Sequence, residues 1–254
     1  MRICDKTKPM NWIYLSPHLD DAILSCGGLI WEQSQAGHSV FVWTICAGDP
    51  PESGISPFAE SLHGRWETGS QAGAIRRQED SAACHLVGAS FHHFSFPDCI
   101  YRASPESNTF LYSSETSLFG PFHPDEWVLI KQICRGIKKY LPEKPQLVCP
   151  YNYGGHVDHQ ITRAAAELLG MPLWYYPDFP YIAELELTPN KTDSKIEFVQ
   201  HPISEQGLQI WIKAVGRYES QISTFWPDEN AMHSATTKYF QSTGGVYLIK
   251  LQDS

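Results

Sequence analysis

The chain has 254 residues and a formal charge of −9, with 19 Lys and Arg against 28 Asp and Glu. Its basic residues come in short pairs such as Arg76-Arg77 and Lys138-Lys139, not in the clusters that displace phosphate counterions, so nucleic acid and strongly anionic membrane surfaces are excluded as main partners. The 42% hydrophobic content suffices for a sizeable core in what reads as a single domain over residues 1–254, and no run of about 18 apolar residues marks a membrane span.

In chain order, residues 12–16 read as a short buried strand stopped by Pro17, and 22–36 as a helix with Asp20 or Asp21 as its N-cap. Ser39–Ile45 is β-branched and aromatic, a second strand. Residues 47–68 hold much Gly and Pro and read as a long surface loop. A helix over 71–87 ends at Gly88, and Ser90–Phe96 reads as a third strand. Residues 98–123 are irregular, 124–140 form an amphipathic helix, and Gln146–Cys149 is a short strand ended by Pro150. After the loop YNYGGH come a helix from about 157 to 169, a strand at Leu173–Tyr176, a helix over Ile203–Ser223 and a strand at Val246–Leu251.

Strands alternating with helices predict an α/β class fold with a mainly parallel sheet. Ligands of such sheets bind beyond the carboxyl ends of the strands. Two clusters fall there, P17-H-L-D-D21 after the first strand and G155-H-V-D-H159 after the fourth. Together they supply three histidines and three carboxylates. A catalytic zinc wants three such ligands and an open position for water. A nearby carboxylate takes the water's proton, and a cation faces the oxyanion. The parts fit metal-assisted hydrolysis of an amide or ester. Gly27-Gly28 is not a nucleotide fingerprint, since no GxGxxG follows the first strand. The aromatic segments 101–121 and 174–181 are read as core packing or as faces for a sugar ring. Seven cysteines without a CxxC read as free thiols of a reducing compartment. With no apolar signal core in MRICDKTKPMNW, the expected location is the cytoplasm.

The first cluster resembles the PHPDD signature of the PIG-L / LmbE-like de-N-acetylase family, with Leu19 in place of its middle proline, and the second resembles that family's HxDH motif. Arg76-Arg77-Gln78-Glu79 is similar to the family's RxxE helix, Phe96-Pro97-Asp98 to its aspartate-bearing loop, and Tyr175–Tyr181 to its later aromatic segment. Y218-E-S-Q221 also appears in some relatives. Leu19 is a spacer, and its presence removes no ligand.

The resemblance implies a Rossmann-like three-layer fold with the site at the C-terminal ends of the strands. It implies His18, Asp21 and His159 as metal ligands and Asp20 as the general base. His156 would be a protonated group at the oxyanion, oriented by Asp158; Arg76 and Asp98 would lie near substrate. Zn2+ is the implied cofactor, with Fe2+ also accepted by such a ligand set. The implied reaction removes the acetyl group from an N-acetylglucosamine-like small glycoconjugate. The rival readings are an amidohydrolase for a non-sugar acyl-amine and a non-catalytic, metal-stabilised sugar-binding protein. The family also allows a homo-oligomer.

Overall fold

A computed structural model describes residues 8–52, 54–65, 72–184 and 195–252. Strands β1 (Asn11–Ser16), β2 (Ser39–Thr44), β3 (Ser90–His93), β4 (Pro145–Pro150), β5 (Leu173–Tyr176), β6 (Ile196–Pro202) and β7 (Gly245–Leu251) form one sheet in the order β3-β2-β1-β4-β5-β7-β6. The first five strands pair in parallel, and β7 runs antiparallel to both β5 and β6. β1 is central and buried on both faces, which explains the continuous apolar run Trp12–Leu15.

One face is covered by α1 (Asp21–Gln35), α3 (Ala72–Leu86) and α8 (Glu205–Val215), the other by α5 (Trp127–Tyr140) and α6 (Val157–Glu167). This is the expected three-layer arrangement. The strand order reverses beside β1, so the loops after β1 and β4 leave neighbouring strands on the same rim.

Several expectations need correction. The 47–68 stretch is not all loop: α2 (Pro57–Arg65) buries Ala59 and Leu62 against Cys99, Ile100 and Tyr112, so a short apolar face outweighs the local Pro and Gly. Residues 66–68 of that stretch, the helix start at 71, and Cys4 lie outside the described residues. The irregular 98–123 segment contains the short helix α4 (Glu115–Leu118), closed by a Ser114–Ser117 capping box. The helix expected over 203–223 is two, α8 and α9 (Glu219–Phe225), with α8 ending at Gly216. The remaining helices are α7 (Tyr181–Glu184) and α10 (Glu229–Thr243), the latter ended by Gly244 in the left-handed region at φ 65°. The six described cysteines are free. Among the described residues, no helix is long and apolar enough to cross a membrane.

Gly27 and Gly28 serve packing. A Cβ on Gly27 would lie 2.6 Å from Cδ1 of Trp211, whose fully buried indole donates to the Ile23 carbonyl at 2.8 Å. Gly27→Ala therefore forces α1 away from α8. We expect a loss of about 1–3 kcal/mol, read as a lowered urea midpoint at unchanged m-value.

Candidate active site

β1 ends in Ser16, and Pro17 breaks the ladder. The Ser16 hydroxyl donates to the His18 carbonyl at 2.6 Å and accepts from the Ala22 amide at 3.0 Å, which ties the turn to the start of α1. Asp21 heads α1, and its Oδ2 accepts from the His18 amide at 2.8 Å. Asp20 occupies the N-cap position, yet its carboxylate makes no capping bond. It faces the Arg76 guanidinium at 3.6 Å. The simple capping role is therefore not the one Asp20 plays.

Across the rim, His156 caps α6, and His159 sits one turn later. His159 Nε2 lies 3.3 Å from Asp21 Oδ1, and His18 Nδ1 lies 3.3 Å from Asp21 Oδ2. The outer ring nitrogens are held from behind. His18 Nε2 meets Asp158 Oδ2 at 2.9 Å, and His159 Nδ1 meets Asp178 Oδ1 at 2.7 Å. Both imidazoles thus present one nitrogen toward Asp21 and have the other fixed by a carboxylate, which is how metal-ligating histidines are held. Burial alone would pull their pKa values down. Asp158 and Asp21 nevertheless raise His18 well above its ordinary value, and Asp21 and Asp178 raise His159 to about 10. A dication among His18, Asp21 and His159 would supply that positive charge in place of protons. Asp21 touches both His18 and His159, the ligand atoms of His18, His156 and His159 lie within 4.8 Å of one another, and such imidazole and carboxylate donors fit zinc or ferrous iron.

Asp20 has a different environment. Burial and the neighbouring Asp21 push Asp20 up to about 7, against the pull of Arg76. His156 packs edge-on against His18, with ring centroids 5.0 Å apart. Burial and His18 push it down to about 3, against Asp158. Its Nδ1 accepts the backbone N–H of Asp158 at 3.2 Å, so the neutral ring carries its hydrogen on Nε2. Asp158 contacts it through the main chain. Its carboxylate is taken by His18, by the Cys99 amide at 3.1 Å and by Arg102 at 2.5 Å. The expected pairing of the Asp158 carboxylate with His156 is absent from the hydrogen bonds among the described residues. The Arg102 charge holds that carboxylate well below the usual carboxylate range despite burial.

Arg76 and Asp98 both line the cavity over this floor, as do His18, Asp20, Asp21, His156 and His159. Asp98 also caps the turn after Pro97 by accepting from the Ile100 amide at 3.2 Å. Three supporting residues were not singled out from sequence: Arg102, Glu126 and Asp178. The only signal was for Asp178, a carboxylate two residues beyond β5 inside the quoted YYPDFPY stretch. It also accepts from the amides of Asn152 and Tyr153. Asp178→Asn should weaken metal binding about 10–100-fold while the chain stays folded, measured by competition against a chromophoric chelator; unchanged affinity would deny Asp178 its orienting role.

Comparison with known proteins agrees with this arrangement. Residues 13–169 match the model of the PIG-L family, GlcNAc-PI de-N-acetylase. The chain is 32% identical over 192 residues to the 2'-N-acetylparomamine deacetylase of Niallia circulans, covering 67% of each protein. It is 26% identical over 248 residues to the enzyme of that name from Streptomyces fradiae, covering 92% of this chain and 81% of that one. Its fold matches that of a deacetylase from teicoplanin biosynthesis, with TM-score 0.79, 24% identity and coverage of 96% of this chain and 100% of the other. It also matches the A40926 pseudoaglycone deacetylase Dbv21, with TM-score 0.70, 27% identity and coverage of 96% and 97%. The ordered motifs, the three-layer fold and the family match lead to one conclusion: the chain belongs to the PIG-L family of deacetylases.

Proposed function

We propose that this protein is a metal-dependent hydrolase, zinc being the natural occupant, that removes the N-acetyl group from an N-acetylglucosamine-like unit of a small glycoconjugate. The observation that carries this reading is the convergence of His18, Asp21 and His159 beside a buried carboxylate that is not spent on capping. The relatives named N-acetylparomamine deacetylase support an amino-sugar conjugate as the substrate class. We place the whole of residues 1–254 in one deacetylase domain, acting in the cytoplasm and competent to self-associate.

His18, Asp21 and His159 would hold the dication, which supplies the charge that acidifies a water and polarises the acetyl carbonyl. Asp20, with its pKa near neutrality, accepts the proton of the attacking water and returns it to the departing amine. Arg76 keeps Asp20 on the cavity floor. His156, through Nε2–H, donates to the oxyanion of the tetrahedral adduct. Asp158 holds His18 in its ligating orientation. Arg76 and Asp98 offer a cation and a carboxylate to the substrate's polar groups.

The test is acetate release from a panel of acetamides, half of them 2-acetamido sugars and half N-acetylated amines without a sugar. The reading expects release confined to the sugars. Release from the non-sugar amines alone would replace the sugar with another acyl-amine, and no release with metal bound would favour a binding protein.

A further inference from the structure

Hydrolysing an acetamide with one water yields an amine, acetate and one proton. The carbon–nitrogen bond breaks with its electron pair on nitrogen, and the water oxygen bonds the acyl carbon. One water proton reaches the departing nitrogen by way of Asp20, as above. The other stays on the new acid and is released when acetic acid ionises. Asp20, free again, is the base at hand to take it, yet it is only 4% exposed, on the floor of a cavity that the products still occupy.

A niche opens off that floor, with Asp20, Gln221, Phe225 and Trp226 in the walls of both. Its volume is about 10 Å³, room for one water. Asp20, Gln221 and Tyr218 border it with polar side chains, the number of partners a buried water asks for. Tyr218, at the start of α9, is buried, and its hydroxyl donates to Asp80 Oδ1 at 2.7 Å. Asp80 sits fully buried on α3. Its other oxygen meets His93 Nε2 at 2.7 Å and accepts from the Thr44 hydroxyl at 3.3 Å. His93 ends β3, the outermost strand of the sheet on that side. Its ring stacks on that of Phe91, 5.0 Å between centroids, and Phe91 is 38% exposed.

A structural tie between α3, α9 and the sheet would need these bonds but not their order. They run in one line, from a niche beside Asp20 to the sheet edge. Phenol, carboxylate and imidazole can each accept and donate a proton. Burial and the Asp80 charge hold the Tyr218 phenol well above its ordinary value, so it conducts as a hydroxyl and not as a tyrosinate.

We propose that Tyr218, Asp80 and His93 form a proton relay that carries the second proton of each turnover from the niche beside Asp20 to the outer edge of the sheet. The origin of that proton rests on the deacetylase reading above. Asp20 passes it to a water in the niche, and that water gives one to the Tyr218 oxygen. The Tyr218 hydroxyl proton moves to Asp80, and Asp80 hands it to His93 Nε2. The Nδ1–H of the imidazolium so formed goes to solvent, and rotation of the ring resets its tautomer. Nothing is oxidised or reduced, and each group ends as it began.

The experiment measures kcat for acetate release from an N-acetylglucosaminide at one fixed pH, in weak buffer and with rising imidazole. Wild type is compared with His93→Gln and Tyr218→Phe. Glutamine keeps an N–H for Asp80 but cannot carry a proton, and phenylalanine keeps the ring without the hydroxyl. In weak buffer both variants should lose about 3–10-fold in kcat, with KM and bound metal unchanged. Imidazole, a mobile substitute for the lost carrier, should restore His93→Gln. Both variants should show a larger solvent deuterium isotope effect on kcat than the wild type, which a merely structural tie would not produce. Undiminished kcat in either variant, or a loss in His93→Gln that imidazole leaves in place, would overturn the relay and leave the deacetylase reading standing. A wild type that releases no acetate from any acetamido sugar would remove that reading, and the relay with it.

Discussion

Asp20→Asn should bind its metal with near-normal affinity and lose about 10²–10⁴-fold in kcat, the contribution typical of a positioned acid–base group. The change is nearly isosteric. The Asp20 carboxylate shares no hydrogen bond with the ring of His18 or His159 among those of the described residues, whereas the Asp21 carboxylate touches both. Removing the Asp20 charge therefore leaves the ligand set in place. The Arg76 guanidinium at 3.6 Å retains a carbonyl oxygen partner in the variant. Metal analysis beside steady-state kinetics separates the outcomes. Turnover within a few-fold of wild type would take the base role from Asp20. Loss of metal together with turnover would make it a ligand.

Arg102→Met should be the most destabilising of the substitutions discussed, at about 3–5 kcal/mol by urea unfolding. The guanidinium is 6% exposed and bonds Asp158 at 2.5 Å, Glu126 at 2.9 Å and the Pro97 carbonyl at 3.1 Å. Asp158 and Glu126 are themselves buried. Deleting the cation leaves two carboxylates in an apolar interior, and the cost is mostly their uncompensated charge. The same change frees Asp158 from its anchor, so the ring of His18 loses its fixed orientation. Arg102→Met/Glu126→Gln, which removes one of the two stranded charges, should recover part of the stability but not the metal affinity. A single-variant loss below about 1 kcal/mol would show that the charge network contributes little.

The legibility of these features in the sequence follows their physics. β1, β2 and β4 are buried on both sides and stand out as apolar runs. β6, IEFVQHP, pairs on one side with β7 and is half-exposed along its length, so its apolar pattern is diluted. α10 is rich in Ser and Thr and buries only Met232, Thr236 and Tyr239, which leaves a weak helical stripe. The break between α8 and α9 is set by tertiary bonds. Glu79 takes both the amide and the hydroxyl of Ser220, and Asp80 takes the Tyr218 hydroxyl.

The site divides the same way. His18, Asp20, Asp21, His156 and His159 lie in two tight clusters beside strand ends, where local spacing alone brings them together. Arg102 reaches Asp158 across 56 residues, Glu126 reaches Arg102 across 24, and Asp178 reaches His159 across 19, each as a single charge. The aromatic rings illustrate the limit most directly. Sequence places Phe119 and Tyr112 in one aromatic stretch, and only the packed fold separates the cavity wall from the core.

The most direct test of the account is a metal titration followed by acetate release from an N-acetylglucosaminyl conjugate. The chelated protein should be inactive, and activity should rise linearly to a plateau at one zinc or ferrous ion per chain. Undiminished acetate release from rigorously chelated protein would contradict the account, because His18, Asp21 and His159 would then have no metal to hold.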